Sequence, residues 1–154
     1  MKTLGRLTLL MFSFLLIACQ DQAPKADFYF LDGKPGRYSE LEGQWLFINY
    51  WAEWCKPCIS EIPELNAFDS DNDHVKVIGI HYDAPAAEKQ QQLVEELSIT
   101  FTVIIAEPHQ HYGFELPRVL PTTAVINPQG KLVTLLRGPQ DEHSLAAALA
   151  PFQQ

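Results

Sequence analysis

The stretch "NYWAEWCKPCISEIPEL", residues 49–65, sets two cysteines, Cys55 and Cys58, between an apolar run and a segment of helical periodicity. The run "QWLFINYWA" has the length and make-up of a central strand buried on both faces. Downstream, Ile59, Ile62, Leu65 and Phe68 fall three apart, the spacing of one helix face. The pair is therefore expected where a strand's C-terminal edge gives way to a helix's first turn. Open α/β sheets usually place their sites at that edge.

Outward from this centre, "FYFLDGKPGRYSELEG" reads as a strand, a Gly/Pro turn and a short polar connection. "HVKVIGIHY" is a second buried strand, "APAAEKQQQLVEELSI" a helix with Leu93, Val94 and Leu97 on one face, and "FTVIIA" a further strand. A His/Pro-rich loop leads into "TTAVINPQGKLVTLLR", two strands joined by a Pro-Gln-Gly turn. "DEHSLAAALAPF" closes the chain as a helix with acidic residues in its first turn. Alternation of this kind predicts one α/β domain, a mixed central sheet with helices on both faces.

The bulk properties agree with a single globular domain. A chain of 154 residues that is 47% hydrophobic and 11% aromatic can bury a core and is not disordered. A formal charge of −8, with no basic stripe, argues against a nucleic-acid partner.

The N-terminus is set apart from the rest. Lys2 and Arg6 precede the apolar run "LTLLMFSFLLIA", residues 7–18, well short of the roughly 20 apolar residues a spanning helix needs. A basic start, a short apolar middle and a small residue before a polar segment describe a secretory signal peptide. "LIAC", Leu16–Cys19, resembles the lipobox of bacterial lipoproteins, which implies that Cys19 is lipidated and tethers the protein to a membrane. Several acyl chains together give a stable anchor where one does not. Gln20 follows the cysteine where the inner-membrane retention rule places Asp, so the sorting membrane stays open. The expected organisation is a signal peptide over 1–18, a tether over 19–26 and the folded domain over 27–154. Outside the cytoplasm, the remaining pair, Cys55 and Cys58, can persist as a disulfide.

Three uses of that pair compete. A zinc site needs four ligands, and the five histidines (74, 81, 109, 111 and 143) show no suitable spacing, with "HQH" at 109–111 read as an exposed loop. A structural disulfide gains from closing a long loop, whereas this one would enclose only Lys56 and Pro57. A redox-active pair is the use that requires the short spacing, since residues three apart on a helix lie about 5–6 Å apart at Cβ. At a helix N-terminus the thiolate is favoured, and Lys56 adds a nearby cation. Cys55 is then expected to be exposed and to attack, with Cys58 one turn in and shielded.

"WAEWCKPC" is similar to the thioredoxin active-site signature. Together with "LPTTAVINPQGKLV" it resembles the ResA/TlpA branch of membrane-tethered thioredoxin-like proteins, over roughly residues 26–152. The resemblance implies a thioredoxin fold and no cofactor or metal. It implies a reductase for disulfides of partner proteins, apocytochrome c being a common target in this branch, recharged by a membrane electron-donor thiol protein. By position, Cys55 matches the nucleophile, Cys58 the resolving cysteine and Pro121 the cis-proline that faces them. Leu120 would then offer backbone groups to an extended substrate. Pro63 matches a proline that kinks the active-site helix, and Trp54 is the aromatic expected to touch substrate, while Trp51 packs. Where thioredoxins carry a buried Asp, this chain has Asn49, which cannot titrate. Glu61 matches a glutamate typical of the branch and, if buried, would exchange protons with a cysteine. Glu53 reads as a solvated carboxylate beside the site.

Two rivals stay open. A peroxide-reducing enzyme of related fold would want threonine at position 52, which is Ala52. A copper-binding chaperone of related fold uses a wider cysteine pair and a distal histidine, a part for which only His111 or His81 could be drafted. The lipid anchor has its own test: metabolic lipid labelling should vanish in Cys19→Ala, and labelling that persists would refute the lipobox reading.

Overall fold

The computed structural model describes residues 25–152. The expected signal peptide, Cys19 and all of the tether except Lys25 and Ala26 lie outside them.

The strands are β1 (Phe28–Phe30), β2 (Pro35–Gly36), β3 (Trp45–Trp51), β4 (Val75–His81), β5 (Thr102–Ile105), β6 (Thr122–Ile126) and β7 (Leu132–Arg137). The helices are α1 (Lys56–Asp71), α2 (Ala87–Glu96), α3 (Pro108–Tyr112) and α4 (Glu142–Leu149). One sheet takes all seven strands in the order β2-β1-β5-β4-β3-β6-β7. Strands β3, β4 and β5 run parallel, whereas β6, β7, β1 and β2 pair antiparallel to their neighbours. The mixed α/β architecture is the expected one, and it is a thioredoxin fold.

Strand β3 is central because its sequence lets it be buried everywhere. Its register with β4 runs from Trp45↔Val75 to Trp51↔His81, and with β6 from Leu46↔Ile126 to Tyr50↔Thr122. Six of its seven residues are buried, Trp45 being the half-buried start. Alternate side chains feed two core layers. Phe47 and Trp51 join Ile62, Leu65 and Phe68 of α1, Leu93 of α2, and Leu145 and Leu149 of α4. Leu46, Ile48 and Tyr50 join Phe28, Tyr38 and Ile104 on the other face.

The helices divide unevenly between the faces. The β3-α1-β4 and β4-α2-β5 crossovers step the same way across the sheet, so right-handed connections place α1 and α2 on one face. The opposite face is covered by the β1–Tyr38 segment and by Tyr112 and Phe114 of the His/Pro-rich region. Gln110 and His111 are exposed as expected, but in place of the loop residues Pro108–Tyr112 form a short helix, opened by Pro108 and closed by Gly113 in the left-handed conformation at φ 72°. Proline presets the helical φ at the first turn, and glycine accepts the left-handed cap that other residues resist. His109 is half-buried, and His111 stacks on Tyr38 with ring centroids 4.1 Å apart.

Gly79 of β4 shows how tightly the helical face is filled. A Cβ there would lie 2.8 Å from Phe101 Cε2, 3.0 Å from Val103 Cγ2 and 3.2 Å from Trp51 Nε1. Gly79→Ala should destabilise the domain by about 1–3 kcal/mol through overpacking. An unchanged urea midpoint would contradict this packing.

Candidate active site

Past Trp51 the chain leaves the sheet, and Cys55 becomes the N-cap of α1 with extended backbone (φ −88°, ψ 92°). Its Sγ accepts the backbone N–H of Cys58 at 3.3 Å. The first N–H groups of a helix lack intrahelical partners and carry the positive end of the dipole, so a thiolate at this cap is stabilised. Pro57 lies in the first turn, where a missing N–H removes no helical bond. The two sulfurs are joined as a disulfide, with the Cα atoms 5.3 Å apart.

Cys55 is less open than its sequence position led us to expect. It is 5% exposed against 1% for Cys58. In the disulfide each sulfur shields the other, and the pair shares its core layer with Trp51 and Ala52, with Leu120 packed against that layer. The order of accessibility is retained, but Cys55 itself is embedded, while its neighbours Glu53 and Trp54 on the same loop are exposed.

Glu61, on the first turns of α1, is 2% exposed. One carboxyl oxygen accepts from Asn49 Nδ2 at 2.7 Å, the other from the backbone N–H of Gln140 at 2.8 Å. Asn49 is oriented in turn by Thr123, whose hydroxyl oxygen accepts from the same Nδ2 at 3.0 Å. Burial pushes the Glu61 carboxyl up to about 7, against the lowering effect of the Gln140 and Asn49 hydrogen bonds. A polar groove of about 340 Å³, lined by Ser60, Glu61, Pro139, Gln140, Asp141 and Ser144, borders it. Such a carboxyl can take up or release a proton near neutral pH, one helical turn beyond Cys58. Asn49 therefore stands not as a lost titratable group but as a donor to the one that titrates.

The Leu120–Pro121 peptide bond is cis. Pro121 is buried and its carbonyl accepts from the Gly138 N–H at 2.9 Å. Leu120 is half-buried against the layer that holds both cysteines, and among the described residues no hydrogen bond engages its backbone N–H or C=O.

Trp54 is 60% exposed and donates its indole N–H to Asp83 Oδ2 at 2.6 Å. Glu53 is exposed beside the site, as expected, but its carboxylate is engaged, lying 2.8 Å from the Nε2 of buried His81. Glu53, His81 and Asp83 bring potential metal-ligand atoms within 4.8 Å of one another. Sequence reasoning passed over this group. The signal was the parallel register, which sets His81 beside Trp51 at the same sheet edge as the cysteine loop. His111, by contrast, stacks on Tyr38 in the other core layer.

A Cys-x-x-Cys disulfide at a helix cap, on a thioredoxin fold, with a cis-proline before β6, defines a dithiol oxidoreductase. The family model described as AhpC/TSA matches residues 19–135, and the chain belongs to that family. Among curated relatives, the thiol-disulfide oxidoreductase ResA of a Bacillus cereus strain is 31% identical over 120 residues, covering 77% of this chain and 69% of the relative. The ResA of Geobacillus thermodenitrificans is 27% identical over 124 residues, covering 79% of this chain and 71% of the relative. In fold the chain is similar to a DsbF homologue from Corynebacterium diphtheriae (TM-score 0.70, 21% identity, 82% of both chains). It is similar also to StoA from Bacillus subtilis (TM-score 0.63, 18% identity, 79% of this chain and 92% of that one). With its Cys55–Cys58 pair, the protein is a thiol–disulfide oxidoreductase.

The Glu61 carboxyl ties stability to pH. In the unfolded chain it ionises at its ordinary value of 4.5, whereas in the folded chain it holds its proton to about 7. The folded state therefore binds the extra proton between these values, and stability falls as pH rises through that window. The loss amounts to about 3 kcal/mol above pH 7. The fall in the urea midpoint between pH 5 and pH 8 should shrink in Glu61→Gln. An equal fall in both proteins would show that this carboxyl is not the source.

Proposed function

We propose that the protein is an extracytoplasmic reductase of disulfides in partner proteins, apocytochrome c among them, held at a membrane by lipid on Cys19. The observation that carries the redox part is Cys55 at the cap of α1, bonded to Cys58 and backed by a buried carboxyl. The direction, the target and the anchor rest on the resemblance to the ResA branch and on the lipobox.

In the reduced form the Cys55 thiolate, held by the N–H groups of the first turn, attacks one sulfur of a substrate disulfide. A mixed disulfide forms and one substrate thiolate leaves, to be protonated. Leu120, whose backbone groups hold no hydrogen bond among the described residues, and the Trp54 indole are the surfaces that hold the substrate segment beside Cys55. Ionised Glu61 then takes the proton of the Cys58 thiol, and the Cys58 thiolate attacks Cys55 Sγ. The second substrate thiolate departs and is protonated, so two electrons have passed to the substrate and Cys55–Cys58 is oxidised. A membrane electron-donor thiol protein restores the dithiol by the same exchange in reverse.

The sequence of attacks separates the two cysteines experimentally. Cys55→Ser should abolish reduction of insulin disulfides, while Cys58→Ser should accumulate mixed disulfides visible on non-reducing gels. Reduction by Cys55→Ser would contradict the assignment.

A further inference from the structure

The site as used so far leaves Glu53, His81 and Asp83 without a task. Glu53 precedes Trp54 on the nucleophile's loop, His81 ends β4, and Asp83 lies two residues on in the following turn. His81 is 2% exposed, and both its ring nitrogens are engaged. Nδ1 accepts the backbone N–H of Asp83 at 3.3 Å. An acceptor nitrogen carries no proton, so the proton of the neutral ring sits on Nε2, which donates to Glu53 at 2.8 Å. The ring is packed in place by Trp51, edge-on at 4.7 Å between centroids.

The same tautomer decides against a metal centre. An imidazole that ligates through Nε2 holds its proton on Nδ1 and gives it to an acceptor. Here Nδ1 faces a donor, so ligation through Nε2 would set two N–H groups against each other. Hydrogen bonding between the two loops is what the trio is built for.

We propose that buried His81 is a positioning residue that fixes Trp54 as a rigid docking plate beside Cys55. The imidazole ties Glu53 to the turn that carries Asp83, and the Asp83 carboxylate holds the indole N–H at 2.6 Å. Adjacent residues 53 and 54 are thereby tied to residues 81 and 83 across the sheet's edge. A large aromatic that is 60% exposed would otherwise sample several rotamers. Holding it in one removes an ordering cost from the binding of a substrate segment. The plate is flanked by two exposed carboxylates, so it suits a segment with a basic or apolar side chain next to its cysteine.

This inference deepens the thiol–disulfide reading and rests on it, so the test separates the two. The indole N–H of Trp54 is followed by NMR in the full-length chain, with Trp54→Phe identifying its signal. KM is measured for insulin disulfides, and a bimolecular rate for the small aromatic disulfide DTNB. Glu53→Ala and Asp83→Ala, both at exposed positions, should speed indole hydrogen exchange at least ten-fold. They should raise KM for insulin several-fold and leave the DTNB rate within two-fold. Glu53→Gln keeps an acceptor for the Nε2 proton and should behave as wild type. Unchanged exchange and KM in Glu53→Ala would overturn the relay, as would an equal loss on insulin and DTNB. Stoichiometric zinc ion shifting the His81 ring signals would overturn it too, and assign the trio to metal. A wild-type chain inert toward DTNB would instead count against the dithiol chemistry, while indole exchange would still be readable.

Discussion

Strand β3 is paired along both edges and covered on both faces, and the place where it ends fixes the rest of the site. A strand in that position has no freedom of direction, so its last residue delivers the chain to one point on the sheet's edge. From Trp51 the backbone needs only a short loop before the apolar periodicity of α1 takes hold against the same layer. Cys55 falls at the cap because the helix must begin there for Ile62, Leu65 and Phe68 to reach Phe47 and Val77. The reactivity of the cysteine is thus a consequence of packing that lies well away from it.

The same alternation along β3 places Asn49 on the helical face, between Phe47 and Trp51, beneath Glu61. A carboxyl in that layer would be costly to ionise without donors. Asn49 and the Gln140 N–H supply two, which offset part of the burial without cancelling it. The outcome is a group balanced near neutrality by opposed effects, and reached through a polar groove from the β7–α4 connection. With an amide at position 49 on the strand, the carboxyl raised toward neutrality in this layer is that of Glu61 on the helix.

Much of this was legible in the sequence, for a physical reason. Strands β3, β4 and β6 carry apolar runs with one reading only, and α1 has a face that repeats every three residues next to a Cys-x-x-Cys pair. What the sequence hid depends on register and on distant backbone. The Gln140 N–H reaches Glu61 from 79 residues away, and no side-chain pattern marks it. Helix α3 is too short for periodicity to declare, and its Pro108 and Gly113 were read as loop residues. The contact between exposed Glu53 and His81 was hidden because His81 sits on a strand whose alignment with β3 a single sequence does not reveal. The exposure of Cys55 was overestimated since a cap position says where a sulfur is along a helix, not what surrounds it.

These elements converge on one requirement: the bond between Cys55 and Cys58 must open and close at potentials that biological thiols command. The direct measurement equilibrates the purified protein in glutathione buffers of graded ratio, quenches it, and counts free thiols on Cys55 and Cys58 by mass. One two-electron transition is expected, with both cysteines gaining alkyl groups together. A pair that stays bonded, or stays open, across the whole range would contradict a redox role for it.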